Sequence, residues 1–386
     1  MRFSTPTTPE PGNHLSPIRT CIMQTTNKFF EDLFVLELAN NHWGNLARGL
    51  EIVRQFSEVV RAGNVRAAIK LQFRDVDAFV HKDYKTRSDI RYVKKTMDTK
   101  LSIPEFEILV EAIKASGCIA MATPFDERSV ELCEALDFPI IKVASSDLGD
   151  HSLIERIVKT GRPTIISTGG ANEQTIDRVV RQFSERGIPL AINHCVSLYP
   201  SEDGELELNQ IDYLRNRYPA HVIGLSTHEY HDWSSSMLMS YAKGARTWER
   251  HIDIEADGIP VSSYCTLPHQ AAEWFAAYHK AREMCGGSTA QRRKLPNREI
   301  SYLDNLVRGV YAKRELPAGY VVEPSTFDND FYMAVPLLKG QLSCREILSG
   351  LTLAKPLDGD AALTLATVAT SAFSREQHSL ILDRGL

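Results

Sequence analysis

Two histidines stand where predicted strands run out into loops. His228 closes HVIGLSTH (221–228), and His251 follows the apolar start of RTWERHID (246–253). Imidazoles on neighbouring strand ends make a ready pair of ligands for a divalent metal. Either alone reads as a hydrogen-bonded rim residue; their company argues for more. Lys70 and Gln72 share one face of a strand, and Lys142, Ser145 and Asp147 come from IIKVASSD. His194, Ser197 and Tyr199 lie in HCVSLYP, Ser226 precedes His228, Glu249 precedes His251, and Glu37 opens a run that continues through Asn40, Asn41 and His42. Two lysines, several hydroxyls, carboxylates and two histidines on one rim would hold an anionic, phosphorylated, polyhydroxylated substrate around a metal. Taken singly, each lysine also fits a strand-end salt bridge.

Such a rim needs strands that end together. Eight β-prone apolar runs occur, at 34–40, 67–73, 118–125, 140–146, 163–169, 190–195, 221–226 and 245–252. Amphipathic helical stretches alternate with them, several ending on glycine. This is the pattern of a (β/α)8 TIM barrel within 31–284, whose site belongs at the carboxyl ends of the strands; an open doubly wound sheet has the same alternation. The long polar connection 74–103 is expected to cross the mouth of the site. A Gly, Ser, Arg and Pro stretch at 285–300 reads as a linker, 301–370 as a small mostly-β domain, and 371–386 as a tail without strong pattern. Residues 1–30 read as a disordered leader, with Met23 an alternative start.

Composition narrows the class. The chain has 386 residues, 43% hydrophobic and 24% charged, with net charge -5. No basic excess points to nucleic acid, and no run of about 18 apolar residues points to a membrane span. The seven cysteines are scattered without a CxxC pair, as suits a reducing cytoplasm.

In order along the chain, LELANNHWGN, KLQF, MATPFDERSVELCEALDFPIIKVASSD, IISTGG, HCVSLYP, IGLSTH and ERHIDI resemble the motifs of the sialic acid synthase family. These are the N-acetylneuraminate synthases and their legionaminate, pseudaminate and spore-coat relatives. The resemblance resumes at VRGVYAKRELPAGYVV, similar to the start of that family's C-terminal antifreeze-like (SAF, β-clip) domain. It implies condensation of phosphoenolpyruvate with the open-chain aldehyde of an N-acetylated amino sugar, releasing phosphate and forming a nine-carbon 2-keto acid. It also implies that His228 and His251 hold Mn2+ or Mg2+. Lys70, Lys142, Ser145 and Ser226, with Gln72 and Tyr199, match phosphoenolpyruvate-binding positions, Glu37 a sugar-contacting acid, and Glu249 a carboxylate near the metal waters. Arg308 matches an arginine that reaches over a partner subunit's sugar, implying a domain-swapped homodimer; a surface cation is its plainer role.

Three departures stand out. Asp147 replaces the family's Glu, and Ser197 a common Asn. The family's Gly-Pro-Asp after the eighth strand is replaced by ADGIPVSSYCTLP, with no Asp near Ser262, and Asp257 lies too early. A non-catalytic or regulatory paralogue that binds sugar or phosphoenolpyruvate is the alternative these departures raise, and a metal-dependent aldolase on the same barrel is a third.

Overall fold

The computed structural model describes residues 28–287, 291–304, 306–347, 350–369, 371 and 373–385. Most of the expected leader, Met23 included, lies outside these residues. The last residue of that segment, Phe30, belongs to the core instead: its ring is buried among barrel residues.

Eight parallel strands form a closed barrel in chain order. They are β1 (Leu33–Ala39), β2 (Arg66–Phe73), β3 (Ile119–Pro124), β4 (Ile140–Val143), β5 (Thr164–Ser167), β6 (Leu190–Cys195), β7 (Val222–Ser226) and β8 (Thr247–His251). β8 pairs back onto β1 in parallel, from Leu33 opposite Thr247 to Glu37 opposite His251. The strands thus answer the eight runs read from the sequence, and the closure decides for the TIM barrel over the open sheet.

Alternation along each strand builds the interior. Leu33, Val35, Ala68, Met121, Ile140, Ile165, Ala191 and Val222 make an apolar plug. Two residues onward, the same inward faces carry Glu37, Lys70, Thr123, Lys142, Ser167, Asn193 and Gly224. The barrel therefore changes from dry to polar within one layer. Gly224 belongs to that change because a Cβ there would lie 1.9 Å from Thr247 Oγ1 and 2.5 Å from the Thr247 carbonyl oxygen. The space it leaves admits the hydrogen bond from Thr247 Oγ1 to Asn193 Oδ1, 2.6 Å.

Outward-facing apolar residues pack under the helices. Phe34 sits among Trp248, Trp274, Phe275 and Tyr278 at ring separations of 4.8–5.3 Å, so the helix Pro268–Cys285 seals the β8–β1 seam. The periodic helices begin on side-chain caps, Asn45, Asp126 and Asn172. Gly187 follows the last of these with positive φ, and Gly117 likewise follows helix Ile103–Ala115, as the glycine signals anticipated. Two nine-residue helices, His151–Lys159 and Asn209–Arg217, complete the alternation with the strands. Connection 74–103 is not plain loop: it holds helices Val76–Phe79 and Arg91–Asp98.

The chain divides into two compact units, Met1–Gly286 and Gly287–Leu386. The second has its own core, including Val310, Leu342, Leu353 and Leu363, beneath two antiparallel pairs. β9 (Gly309–Ala312) pairs with β11 (Phe331–Ala334), and β10 (Val321–Val322) with β12 (Leu351–Thr352). Helix Asn297–Asp304 begins inside the stretch read as linker. The tail is also more than irregular chain. Ser374 and Gln377 cap a helix, Arg375–Asp383, that buries Ile381, and Arg384 then clasps Glu346 at 2.6 and 2.8 Å. Among the described residues no helix is long and apolar enough to cross a membrane.

Candidate active site

A cavity of about 590 Å³ opens at the carboxyl ends of the strands. Glu37, Lys70, Gln72, Lys142, Ser145, Ser197, Tyr199, Ser226, His228, Glu249 and His251 all line it. Asp147 and Arg308, also named from sequence, do not. Strand β4 stops at Val143, and Asp147 lies on a 3-10 turn, Ser145–Asp147, outside the lining. Burial pushes its carboxyl up, and its Oδ2 has no partner among the described residues. Arg308 belongs to the second unit, where it is exposed just before β9.

The floor is an ionic cluster built from adjacent strands. Lys70 pairs with Glu37, lies 3.1 Å from Glu249 Oε1, and donates to Thr123 Oγ1 at 3.1 Å. Lys142 donates to Ser167 Oγ at 2.7 Å and to the Val143 carbonyl at 2.9 Å, with Glu249 at 3.9 Å. Ser226 Oγ donates to Glu249 Oε1 at 3.3 Å, while the buried Glu249 Oε2 has no partner among the described residues.

The two carboxylates are driven apart. Burial raises Glu37, and Lys70 only partly offsets it. Burial would raise Glu249 as well, but Lys142 and Lys70 together outweigh it and leave it below the usual range. For Lys70 the opposing burial is overcome by Glu249 and Glu37, so its ammonium is retained; for Lys142 burial prevails and lowers it. Glu249 is thus the ionised carboxylate of the pair, and Glu37 the one that takes a proton more readily.

The two imidazoles face each other with ring centres 5.5 Å apart. His228 Nδ1 donates to the Val196 carbonyl at 3.0 Å, which leaves Nε2 as its lone-pair nitrogen. Burial lowers His228 to about 4 and His251 well below its ordinary value, the latter helped by His228. Both are neutral donors at pH 7 and are the pair that could hold a metal. Among the described residues no group of three or more His, Cys, Asp or Glu is arranged to do so.

A buried clamp lies outside the cavity, behind these histidines. Arg250 Nη1 meets Glu229 Oε1 at 2.5 Å and its Nη2 donates to the Glu229 carbonyl at 2.6 Å. Nε donates to Thr266 Oγ1 at 3.0 Å, and Thr266 N in turn donates to the His251 carbonyl at 2.7 Å. Thr227 and Ser236 also donate to the Glu229 carboxylate. The clamp ties the loop after β7 to β8, one residue from each imidazole.

Sequence reasoning missed several lining residues. Thr123 and Ser167 were available from strand alternation, being the inward neighbours of Lys70 and Lys142. Gly169 was not: a Cβ there would fall 2.3 Å from Ser197 Oγ and 2.8 Å from Ser145 Oγ, so the missing side chain is what admits both hydroxyls. Tyr264 comes from the segment where the family's Asp was sought, its ring 5.2 Å from His251 and 5.3 Å from Tyr199. Asp257 faces Arg48 instead, at 3.4 Å. His194 points away from the main cavity and hydrogen-bonds the Leu206 carbonyl at 2.7 Å.

Acid should loosen this region. His42, like His228, is lowered to about 4, chiefly by burial. An unfolded histidine titrates near ~6.5, so below that pH the unfolded chain binds protons that the folded chain refuses. Stability is complete above ~6.5 and is lost as pH falls toward ~4, by about 3 kcal/mol per histidine. Urea unfolding followed by tryptophan fluorescence, at about pH 7 and about pH 4.5, should show that loss, and His42→Gln should reduce it. An equal loss in the variant would contradict the assignment.

The sequence model of the NeuB family matches residues 59–289. An N-acetylneuraminate-9-phosphate synthase of Drosophila melanogaster is 35% identical over 153 residues, covering 39% of this chain and 40% of that protein. A pseudaminic acid synthase of Campylobacter jejuni is 26% identical over 57% of this chain and 65% of that protein. Both matches cover less than two thirds of the relative. A solved protein assigned as spore coat polysaccharide biosynthesis protein E, from Chromobacterium violaceum, superposes with TM-score 0.84 at 35% identity, over 88% of this chain and all of that one. With the family's sequence model spanning more than half of its length, this chain belongs to the NeuB family of sialic acid synthase-like proteins.

Proposed function

We propose that the protein condenses phosphoenolpyruvate with the open-chain aldehyde of an N-acetylated amino sugar, giving a 2-keto acid and inorganic phosphate. The observation that carries this reading is the floor of the cavity. Lys70 and Lys142 flank one ionised carboxylate, Glu249, beside two neutral imidazoles. Lysines and hydroxyls from Ser145, Ser167 and Ser226 are the donors a phosphorylated carboxylate requires. The relatives' names, synthases of sialic-type acids, support the same chemistry.

His228 and His251 would hold a divalent ion, Mn2+ or Mg2+, which when bound polarises the aldehyde oxygen. Their neutral state and the orientation of His228 fit that role. The enol carbon of phosphoenolpyruvate then forms the new bond to the aldehyde carbon, and water adds to the electron-poor carbon left behind. Glu249, ionised and with Oε2 unpartnered among the described residues, would take the proton of that water. Glu37, raised by burial, can hold a proton for the oxygen that becomes a hydroxyl. Phosphate leaves with the bridging oxygen as the 2-keto group forms. In this reading Arg308 completes the sugar site of a partner subunit in a domain-swapped homodimer. Mixing Arg308→Ala and His251→Ala subunits should then restore part of the activity that each lacks alone.

Lys142→Ala should weaken phosphoenolpyruvate binding by about 1.5–3 kcal/mol, the scale of a charge-assisted hydrogen bond. Calorimetric titration of the full chain with Mn2+ present checks this. Unchanged affinity in this variant and in Lys70→Ala would place the anion elsewhere.

A further inference from the structure

At the floor, the positive charges already have carboxylates beside them, Lys70 with Glu37 and Glu249, and Lys142 with Glu249. Higher on the same wall two further cations line the cavity, Arg74 and Lys95. Neither is in an ion pair with any described carboxylate. Arg74 Nη1 donates to Gln72 Oε1 at 3.0 Å, and its buried Nε has no partner among the described residues. The guanidinium is held by ring faces: its centre is 3.6 Å from the Phe125 ring and 5.9 Å from that of Tyr92. Such contacts fix a cation without neutralising it.

Lys95 comes from helix Arg91–Asp98, where Tyr92, Lys95 and Thr96 share one face and all line the cavity. Its side chain makes no hydrogen bond or ion pair with the described residues; its ammonium lies 5.8 Å from the Trp43 ring. Burial lowers it, and Arg91 and Arg74 add to the effect. Both cations line this cavity wall, and the carboxylates of Asp147 and Asp253 act on Arg74 and Lys95 respectively without forming an ion pair.

Geometry separates this pair from the floor. Lys70, Gln72 and Arg74 are successive residues of one strand face and its extension, so Arg74 is roughly 13 Å along the chain from Lys70 at ~3.3 Å per residue. Gln72 spans the interval, donating to Glu37 at 3.3 Å and accepting from Arg74. An anion on the floor lysines is therefore not the one that Arg74 and Lys95 face. Exposed aromatic rings flank the upper site, Trp43 and Tyr92, surfaces suited to a sugar chain.

We propose that Arg74 and Lys95 form a second anion site, which binds a phosphate or carboxylate carried on the amino sugar at the end remote from its aldehyde. This rests on the synthase reading and narrows it: the sugar substrate is itself acidic. The reaction upstream must then supply an acidic amino sugar, by phosphorylation or by oxidation of its terminal carbon.

The test titrates full-length protein, with Mn2+, against N-acetylmannosamine, N-acetylmannosamine 6-phosphate, N-acetylmannosaminuronic acid and, separately, phosphoenolpyruvate. Wild type should bind one of the two acidic sugars at least ~10-fold more tightly than the neutral sugar, the scale of one charge-assisted contact. Lys95→Met and Lys95→Gln should each remove that preference, Lys95→Arg should keep it, and phosphoenolpyruvate affinity should stay within about two-fold in all three. Equal binding of the neutral and both acidic sugars by wild type overturns the proposal. So does a loss of phosphoenolpyruvate affinity in Lys95→Met that matches the loss for the acidic sugar, because the cations would then serve phosphoenolpyruvate. Failure of every sugar to release phosphate from phosphoenolpyruvate would instead sink the synthase reading, while these affinities still decide whether the second anion site exists.

Discussion

Glu249→Gln is expected to lower kcat by about 10²–10⁴-fold, the range for losing a positioned general base. Phosphoenolpyruvate should bind no more weakly, and this split is the informative part. Glu249 lies 3.1 Å from Lys70 and 3.9 Å from Lys142, so its charge competes with any anion for both lysines. Glutamine keeps the shape and removes the competition. A variant that turns over slowly yet binds phosphoenolpyruvate equally or more tightly has lost an interaction made during reaction. If kcat holds and only affinity falls, Glu249 organises the lysines and takes no part in proton transfer.

The largest effect on stability is expected from the clamp behind the histidines. Glu229→Ala strips Arg250 of its carboxylate inside a site where both side chains are about 1% exposed. Breaking a buried pair from one side costs about 3–5 kcal/mol, because the remaining charge has no solvent to return to. The barrel's urea midpoint should fall accordingly, read from tryptophans 43, 233, 248 and 274, all of which lie in the first unit. Replacing both partners, Glu229→Met with Arg250→Met, should recover much of that loss, since two apolar side chains leave no unpaired charge. A double variant as unstable as Glu229→Ala would show that the hydrogen bonds from Thr227 and Ser236 matter more than the ion pair.

The barrel was legible because its signals are local. Each strand announces itself as a short apolar run, and inward alternation carries Lys70 to Gln72 and Glu249 to His251 without knowledge of their neighbours. Two of the residues missed, Gly169 and Tyr264, depend on contacts distant in sequence. Gly169 matters through Ser145 and Ser197, on two other strand ends, and nothing in STGG identifies them. Tyr264 reaches the imidazoles from a loop with no periodicity, where the search was for an acid. Asp147 was misplaced because β4 was extended through 146, whereas a 3-10 turn begins at Ser145 and breaks the alternation. Lys95 was hidden in a connection read only as polar, although its helix presents Tyr92, Lys95 and Thr96 together.

Phosphate release tests the central claim most directly. Full-length protein with Mn2+ and phosphoenolpyruvate should liberate inorganic phosphate only when an N-acetylated amino sugar is added. Neutral, 6-phosphorylated and uronic forms should be offered in parallel, and each phosphate released should be matched by one molecule of 2-keto acid. His228→Ala and His251→Ala should abolish both signals together. Phosphate released without sugar, or no phosphate with any of these sugars from protein that binds phosphoenolpyruvate, would contradict the account.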